Sequence, residues 1–171
     1  MIYFTRSLMF FVIVLSPTFV MGVCKTDSIA ATTPTNRFTI NNDGTVIDTQ
    51  TGLTWKRCSE GQSGIDCNIG NANSYTWQGA LKQVQNVNDN GGFAGYKNWR
   101  LPNIKELSSI IEYQCSDPSI NLVVFPNTSS FGYWSSSPNA YDYRSKAWYV
   151  FFNVPAIRSD ESYDLFVRLV R

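Results

Sequence analysis

Alternating apolar and polar positions predict short β-strands near both ends of the chain. Period-two patterns occupy 37–40, 45–48 and 53–56, and Asp43 and Gly44 mark the first turn between them. We therefore predict a three-stranded meander in this region. Further strands are predicted at 132–137, 147–152 and 165–170, with a turn region at 153–163.

Apolar residues spaced three and four positions apart predict two helices between these groups of strands. The first begins after a Thr76 cap, follows an apolar stripe from Trp77 to Val84 and ends before the glycines at 91–92. The second is expected from about Asn103 to Gln114. The fold class predicted from this order is α+β, with terminal strands that can pair and bring the two ends of the chain together.

A strand-to-helix corner at 99–107 is the most clearly signalled local feature. Pro102 holds the preceding residue extended, and Asn103 is a good N-cap with Glu106 placed to complete a capping box. Arg100 beside this corner is expected to be a structural ion-pair partner.

The first 22 residues resemble a secretory signal peptide. A basic Arg6 precedes an apolar run at 8–15, and Gly22 ends a plausible cleavage site. The alternative, an uncleaved membrane anchor, fits less well because the run is short and followed by Pro17. We expect three parts: the signal peptide at 1–22, an extended polar lead-in at 23–36 and a domain at 37–171. No stable membrane span is expected after cleavage.

Export would place the four cysteines in an oxidising compartment. In an oxidising compartment an even number favours disulfides over a metal cluster, and three pairings are possible. We favour Cys58 with Cys67, which bracket a short polar loop, leaving Cys24 with Cys115. Because the spacing lacks paired CxxC motifs, we expect no metal site, and no cofactor is indicated.

Composition excludes several function classes. The chain has 171 residues, 15% of them aromatic, and a formal net charge of +1. This balance argues against a nucleic-acid partner, which would require many phosphate contacts. Histidine is absent, which removes Ser-His-Asp and Cys-His catalytic groups.

Seven short motifs then occur in a fixed order. They are DGTV at 43–46, TGLTW at 51–55, WRLP at 99–102, EL at 106–107, YWSSS at 133–137, AW at 147–148 and VRLVR at 167–171. Together they resemble the Lcl C-terminal domain family, within the broader C-type-lectin-like architecture that includes the formylglycine-generating enzyme group.

The resemblance implies a compact α+β domain with two helices, a twisted antiparallel sheet and adjacent termini. It also implies exported proteins, often surface adhesins, some of which bind sulfated polysaccharides. The calcium-binding triplets of related lectins are replaced here by Phe125-Pro126-Asn127 and Trp134-Ser135-Ser136. Neither replacement supplies the carboxylates that calcium requires.

The predicted ligand surface is the loop 136–146 with its flanks, since aromatic, amide and basic side chains on a rigid scaffold suit recognition. Trp134 can alternatively be a core residue, and the loop can be an ordinary solvated one. The candidate ligand-binding residues are Trp134, Asn139, Tyr141, Tyr143, Arg144 and Lys146.

Basic residues could also form a polyanion-binding patch if they shared one face. The candidates are Lys56, Arg57, Lys97, Arg100, Arg144, Lys146, Arg158, Arg168 and Arg171.

The function expected is a non-catalytic, adhesin-like module that binds a glycan or a surface protein, located in the periplasm or at the cell surface. The alternative is a structural subunit of a pilus, phage tail or envelope assembly. An enzyme is disfavoured because the carboxylates at Asp142, Asp160, Glu161 and Asp164 lack a supporting pattern. No collagen-like or heptad repeat indicates an oligomeric state.

Overall fold

The computed structural model describes residues 23–140, 147–160 and 163–171, so the expected signal peptide lies outside the described residues. The fold class is α+β, as predicted. The helices are α1 (Trp77–Asp89) and α2 (Ile104–Ser108), with one turn of 3₁₀ helix at Thr35–Arg37. The strands are β1 (Val23–Cys24), β2 (Phe38–Ile40), β3 (Thr45–Asp48), β4 (Thr54–Lys56), β5 (Ser74–Tyr75), β6 (Cys115–Ser116), β7 (Gly132–Pro138), β8 (Ala147–Phe151), β9 (Ala156–Asp160) and β10 (Leu165–Phe166).

The predicted meander is confirmed as an antiparallel sheet in the order β2-β3-β4. Its first turn contains Gly44 at φ +83°, a left-handed conformation that favours glycine. A Cβ at this position would lie 2.9 Å from the Phe93 ring. The turn therefore requires glycine for two reasons, its backbone conformation and the aromatic ring packed over it.

The larger sheet has five strands in the order β5-β10-β7-β8-β9. Parallel pairing of β10 with β7 makes this sheet mixed, whereas the family resemblance implied a twisted antiparallel sheet. The segment 153–163, predicted to be a turn region, contains β9. This strand pairs along its whole length with β8, from Phe151 opposite Ala156 to Ala147 opposite Asp160.

The last residues of the chain connect the three-stranded sheet to the five-stranded sheet. Val170 forms antiparallel bridges to both Trp55 and Arg100, and the backbones of Arg171 and Thr54 exchange hydrogen bonds of 2.9 and 3.1 Å. The last predicted strand is shorter than expected, since only β10 of 165–170 is regular. The residues after it still form backbone hydrogen bonds, since the Glu60 amide donates to the Val167 carbonyl and the Lys56 amide to the Leu169 carbonyl.

The five-stranded sheet has a separate apolar core on each face. Tyr133 pairs with Val150 and both belong to one cluster, which also contains Leu107 of α2. The neighbouring pair, Trp134 and Tyr149, belongs to the other cluster. Because successive strand residues point to opposite faces, this register fills both cores from the same two strands.

The helix predicted at 103–114 is shorter in the structure, where α2 covers Ile104–Ser108. Its start is as expected, with the Asn103 side chain accepting from the Glu106 amide and a complete capping box. The helix ends early because the chain turns to make tertiary hydrogen bonds: the Glu112 amide donates to the Ser119 carbonyl at 3.0 Å. The apolar residues beyond the helix, Ile110 and Ile111, are still buried.

The favoured disulfide pairing is present: Cys58 is bonded to Cys67 and Cys24 to Cys115. The second bridge links β1 to β6, which pair antiparallel, so the lead-in is attached to the domain. The Glu112 carboxylate strengthens this attachment, accepting hydrogen bonds from the amides and hydroxyls of Thr32 and Thr33 at 2.7–3.0 Å.

Candidate functional site

Trp134, predicted as a ligand contact, is instead a core residue. It has 0% exposure, its indole Nε1–H donates to the Tyr75 carbonyl at 2.7 Å, and its ring packs edge-to-face against Tyr149. The alternation of β7 turns Trp134 inward, towards the cluster that also contains Trp99. The prediction of this residue as a ligand contact is therefore wrong, and its role is structural.

Asn139 lies at the base of the predicted loop and is 8% exposed. Its side-chain amide donates to the Ser159 hydroxyl at 2.9 Å, which connects the end of β7 to β9. The remaining loop candidates, at Tyr141, Tyr143, Arg144 and Lys146, lie outside the described residues. Their role as ligand contacts therefore remains a prediction.

Next to Asn139, whose partner Ser159 is one of its lining residues, the structure contains a concave site, which we call the aromatic cleft. Its volume is about 500 Å³, and it lies where β8, β9 and the start of β10 meet the segment before β7. The residues that line it are Phe131, Tyr149, Phe151, Arg158, Ser159, Tyr163 and Leu165.

Strand register explains why these residues meet. Arg158 is paired with Tyr149, so both project from the same face of the sheet, and Phe151 follows two residues after Tyr149 on that face. Gly132, opposite Phe151, leaves room for this arrangement, since a Cβ there would approach the Leu165 side chain to 2.9 Å. The sheet thus provides a rigid floor for the aromatic cleft.

The rings of the cleft are partly exposed to solvent. The Phe131 and Phe151 centroids are 4.9 Å apart in a tilted arrangement, and Phe131 is 43% exposed. Tyr163 is 47% exposed. Because large aromatic groups are usually more buried than this, their grouping in a concavity indicates a surface suited to an apolar or ring-shaped ligand face.

Arg158 supplies the positive charge of the cleft. Its guanidinium carbon lies 5.7 Å from the Phe151 centroid, a distance at which the cation and the ring attract each other. The side chain is exposed and makes no ion pair with another described residue. Its N–H groups are therefore available to an acceptor on a ligand.

Among the described residues, few of the other candidate cations are free to form a polyanion patch. Lys56 and Arg100 are paired with carboxylates, at 2.6 Å and 2.7 Å. Arg57 donates to backbone carbonyls, and Arg168 is buried with its guanidinium bonded to carbonyl and hydroxyl oxygens. These cations stabilise the fold and are not available as a single binding face.

Comparison with known proteins agrees with the sequence motifs. The family model for the Lcl C-terminal domain matches residues 44–171. The chain belongs to the Lcl C-terminal domain family. Curated proteins give no match to the chain. The matched part of this Lcl C-terminal domain includes every residue that lines the aromatic cleft.

The Lcl C-terminal domain has a second, wider concavity of about 1300 Å³ between the lead-in, the disulfide loop and 118–130. Its amide side chains are largely used to hold these segments together. Asn121 donates to the Thr33 carbonyl at 2.8 Å, and Asn127 donates to the Cys67 carbonyl at 2.9 Å. The groove lacks basic and aromatic lining residues, so the aromatic cleft is the stronger site.

The lectin-type calcium triplets were expected to be absent from this domain, and the structure shows how their replacements are used. Asn127 is bonded to the disulfide loop, while Phe125 and Trp134 are buried. Within the described ranges, no group of three or more His, Cys, Asp or Glu side chains is placed to hold a metal ion. No helix in that part of the chain is long and apolar enough to span a membrane.

Most residues of the aromatic cleft were missed at the level of sequence. Phe131, Phe151 and Tyr163 are separated along the chain and meet only in the folded protein. Arg158 was noted as one of several basic residues in a predicted turn region. The available signal was the alternation at 147–151, which places Tyr149 and Phe151 on one face.

Proposed function

We propose that this protein is an exported, non-catalytic binding module that recognises a glycan or another surface ligand without a lectin-type calcium site. The observation that supports this proposal is the aromatic cleft, in which partly exposed rings lie on a sheet beside a guanidinium that forms no ion pair with another described residue. Small-molecule sites are typically concave and mostly apolar, with a few polar groups that set orientation. The two disulfides support export, because such bonds persist in oxidising compartments. An adhesin-like role within the C-type-lectin-like architecture is part of the same proposal.

A glycan array probed with the purified protein tests this function. We expect retention on a subset of glycans and a loss of about tenfold in affinity for Tyr163→Ala, because aromatic anchors dominate many binding sites. Tyr113→Ala is the matched control, since Tyr113 is 56% exposed and does not line the aromatic cleft. Equal glycan binding by both variants would contradict the aromatic cleft as the binding site.

A structural subunit remains the second candidate, and β9 is the observation that favours it. This strand is at the edge of the five-stranded sheet, and its Ile157 is 51% exposed. Exposed strand edges can pair with another chain. Two results together would favour a structural subunit over ligand binding. The purified protein would self-assemble in a manner that Ile157→Lys abolishes, and it would show no retention on glycans.

A further inference from the structure

We infer that the aromatic cleft binds a single acidic sugar unit through its carboxylate, with Arg158 as the residue that selects for the charge. This inference rests on the proposed glycan-binding function and specifies the class of ligand. It differs from binding of a highly sulfated polymer, which would require several cations along one face.

The charge of the cleft is the first support. Of the described residues that line it, only Arg158 is charged, while the others are aromatic, aliphatic or hydroxyl-bearing. A ligand that fits this composition has one anionic group and otherwise neutral surface. Lys56, Arg57, Arg100 and Arg168 make structural contacts elsewhere, which removes most of the described candidates for a polyanion patch.

The geometry of the guanidinium is the second support. Its contact with the Phe151 ring, at 5.7 Å, restricts where the planar group can lie but leaves its N–H donors unused by other described residues. An arginine fork matches the two oxygens of a carboxylate and can bind them in a bidentate manner. A lysine could supply the same charge but not the same planar geometry.

The rings and hydroxyls are the third support. Phe131 and Tyr163 present partly exposed aromatic surface, against which the C–H groups of a sugar ring can pack. The hydroxyls of Ser159 and Tyr163 can exchange hydrogen bonds with sugar hydroxyls. The volume of about 500 Å³ lies within the usual range for a site that encloses one small ligand.

The test compares three probes: an oligosaccharide ending in glucuronic acid, the same oligosaccharide with that carboxylate reduced to the alcohol, and heparin. We expect the wild-type protein to bind the acidic probe at least tenfold more tightly than the reduced probe. Arg158→Gln should remove this preference, and Arg158→Lys should retain only part of it. Lys82→Gln, which removes one exposed helix charge elsewhere, should behave as wild type.

The outcomes separate the ligand class from the function itself. Equal affinity for the acidic and reduced probes, with sensitivity to Tyr163→Ala, would overturn the acidic-sugar inference while the glycan-binding function survives. Strong heparin binding that is unchanged by Arg158→Gln would also overturn it, because the charge would then be recognised elsewhere. No binding to these probes or to any arrayed glycan would contradict both the acidic-sugar inference and the glycan-binding form of the proposed function. Arg158 is exposed, so the variants should fold, and thermal unfolding checks this directly.

Discussion

At the scale of single residues, Glu112 shows how one carboxylate can hold a segment to a domain. Burial of this group would raise its pKa, but hydrogen bonds from Thr32, Gln114 and Thr33 lower the pKa overall. Glu112 is 3% exposed, and both of its carboxylate oxygens accept hydrogen bonds, one from the Thr32 amide and the other from the Thr33 amide. The ionised form is therefore the one that the folded protein stabilises.

The pH dependence of this stabilisation follows from the direction of the shift. Because the pKa is lower in the folded protein, the contribution is complete above the unfolded value of about 4.3 and is lost as the pH falls through the folded value. We expect Glu112→Gln to lower the free energy of unfolding by about 2 kcal/mol at pH 7, and this difference to shrink below about pH 4.

Urea unfolding of both proteins across this pH range measures the effect. Asp66→Asn is a suitable control because Asp66 is exposed and should give no comparable difference. A deficit for Glu112→Gln that stayed constant down to pH 3 would show that the carboxylate charge is not the source of the stability.

Arg168 is a second residue whose role is structural. Burial lowers its pKa, and the nearby Tyr133 and Glu60 only partly offset this effect. The guanidinium bonds the Lys56 and Arg57 carbonyls and the Thr128 hydroxyl, at the root of the disulfide loop, and lies over the Phe125 ring.

Arg168→Met should therefore destabilise the protein by roughly 3 kcal/mol, because several buried oxygens would lose their donor. Arg158→Met is the matched control, since it removes an exposed arginine and should change stability by less than about 0.5 kcal/mol. Chemical denaturation of the two variants distinguishes these roles. Similar stabilities would mean that water or neighbouring groups replace the buried guanidinium.

At the scale of elements, the corner at 99–108 was predictable because its determinants are local. Pro102, Asn103 and Glu106 specify the helix start. Arg100 forms an ion pair as expected, and the structure identifies Glu106 as its partner. The end of α2 was not predictable, because it depends on the contact of Glu112 with the distant Ser119. Likewise β9 contains charged and polar residues, and its extended conformation depends on pairing with β8.

Because local residues specify the start of α2, a substitution at the N-cap should change the stability of the protein. Asn103→Ala removes the side-chain acceptor of the Glu106 amide and should cost about 1 kcal/mol of stability. Asn103→Asp keeps an acceptor and should remain close to wild type. Equilibrium unfolding of the two variants provides the comparison. An equal loss in both would assign the effect to something other than the cap.

At the scale of the whole molecule, strand register determines which residues form a surface. The aromatic cleft combines residues from 131 to 165, and its composition could not be predicted from motifs that are continuous in sequence. Asn139, at the base of the predicted loop, lies next to the aromatic cleft, because its side chain is bonded to Ser159, which also lines the cleft. None of the predicted ligand contacts that the structure describes lines the cleft, so the sequence did not identify the residues of the concavity.

The two disulfides differ in solvent exposure, and this difference should determine the order in which they are reduced. Cys58 and Cys67 are buried, with exposures of 6% and 0%, whereas Cys24 is exposed. Thiolate attack requires access to sulfur. We therefore expect a mild reductant to open the Cys24–Cys115 bridge in the folded protein before the Cys58–Cys67 bridge.

Alkylation followed by peptide mapping measures the order of reduction. Opening the first bridge should free the lead-in to proteolysis only partly, since Glu112 still holds Thr32 and Thr33. In Glu112→Gln the same reduction should release the lead-in fully while the domain remains resistant to protease. Full release of the lead-in from the wild-type protein would mean that the disulfide alone provides the attachment. Reduction of Cys58–Cys67 before Cys24–Cys115 would show that the disulfide loop opens readily in solution.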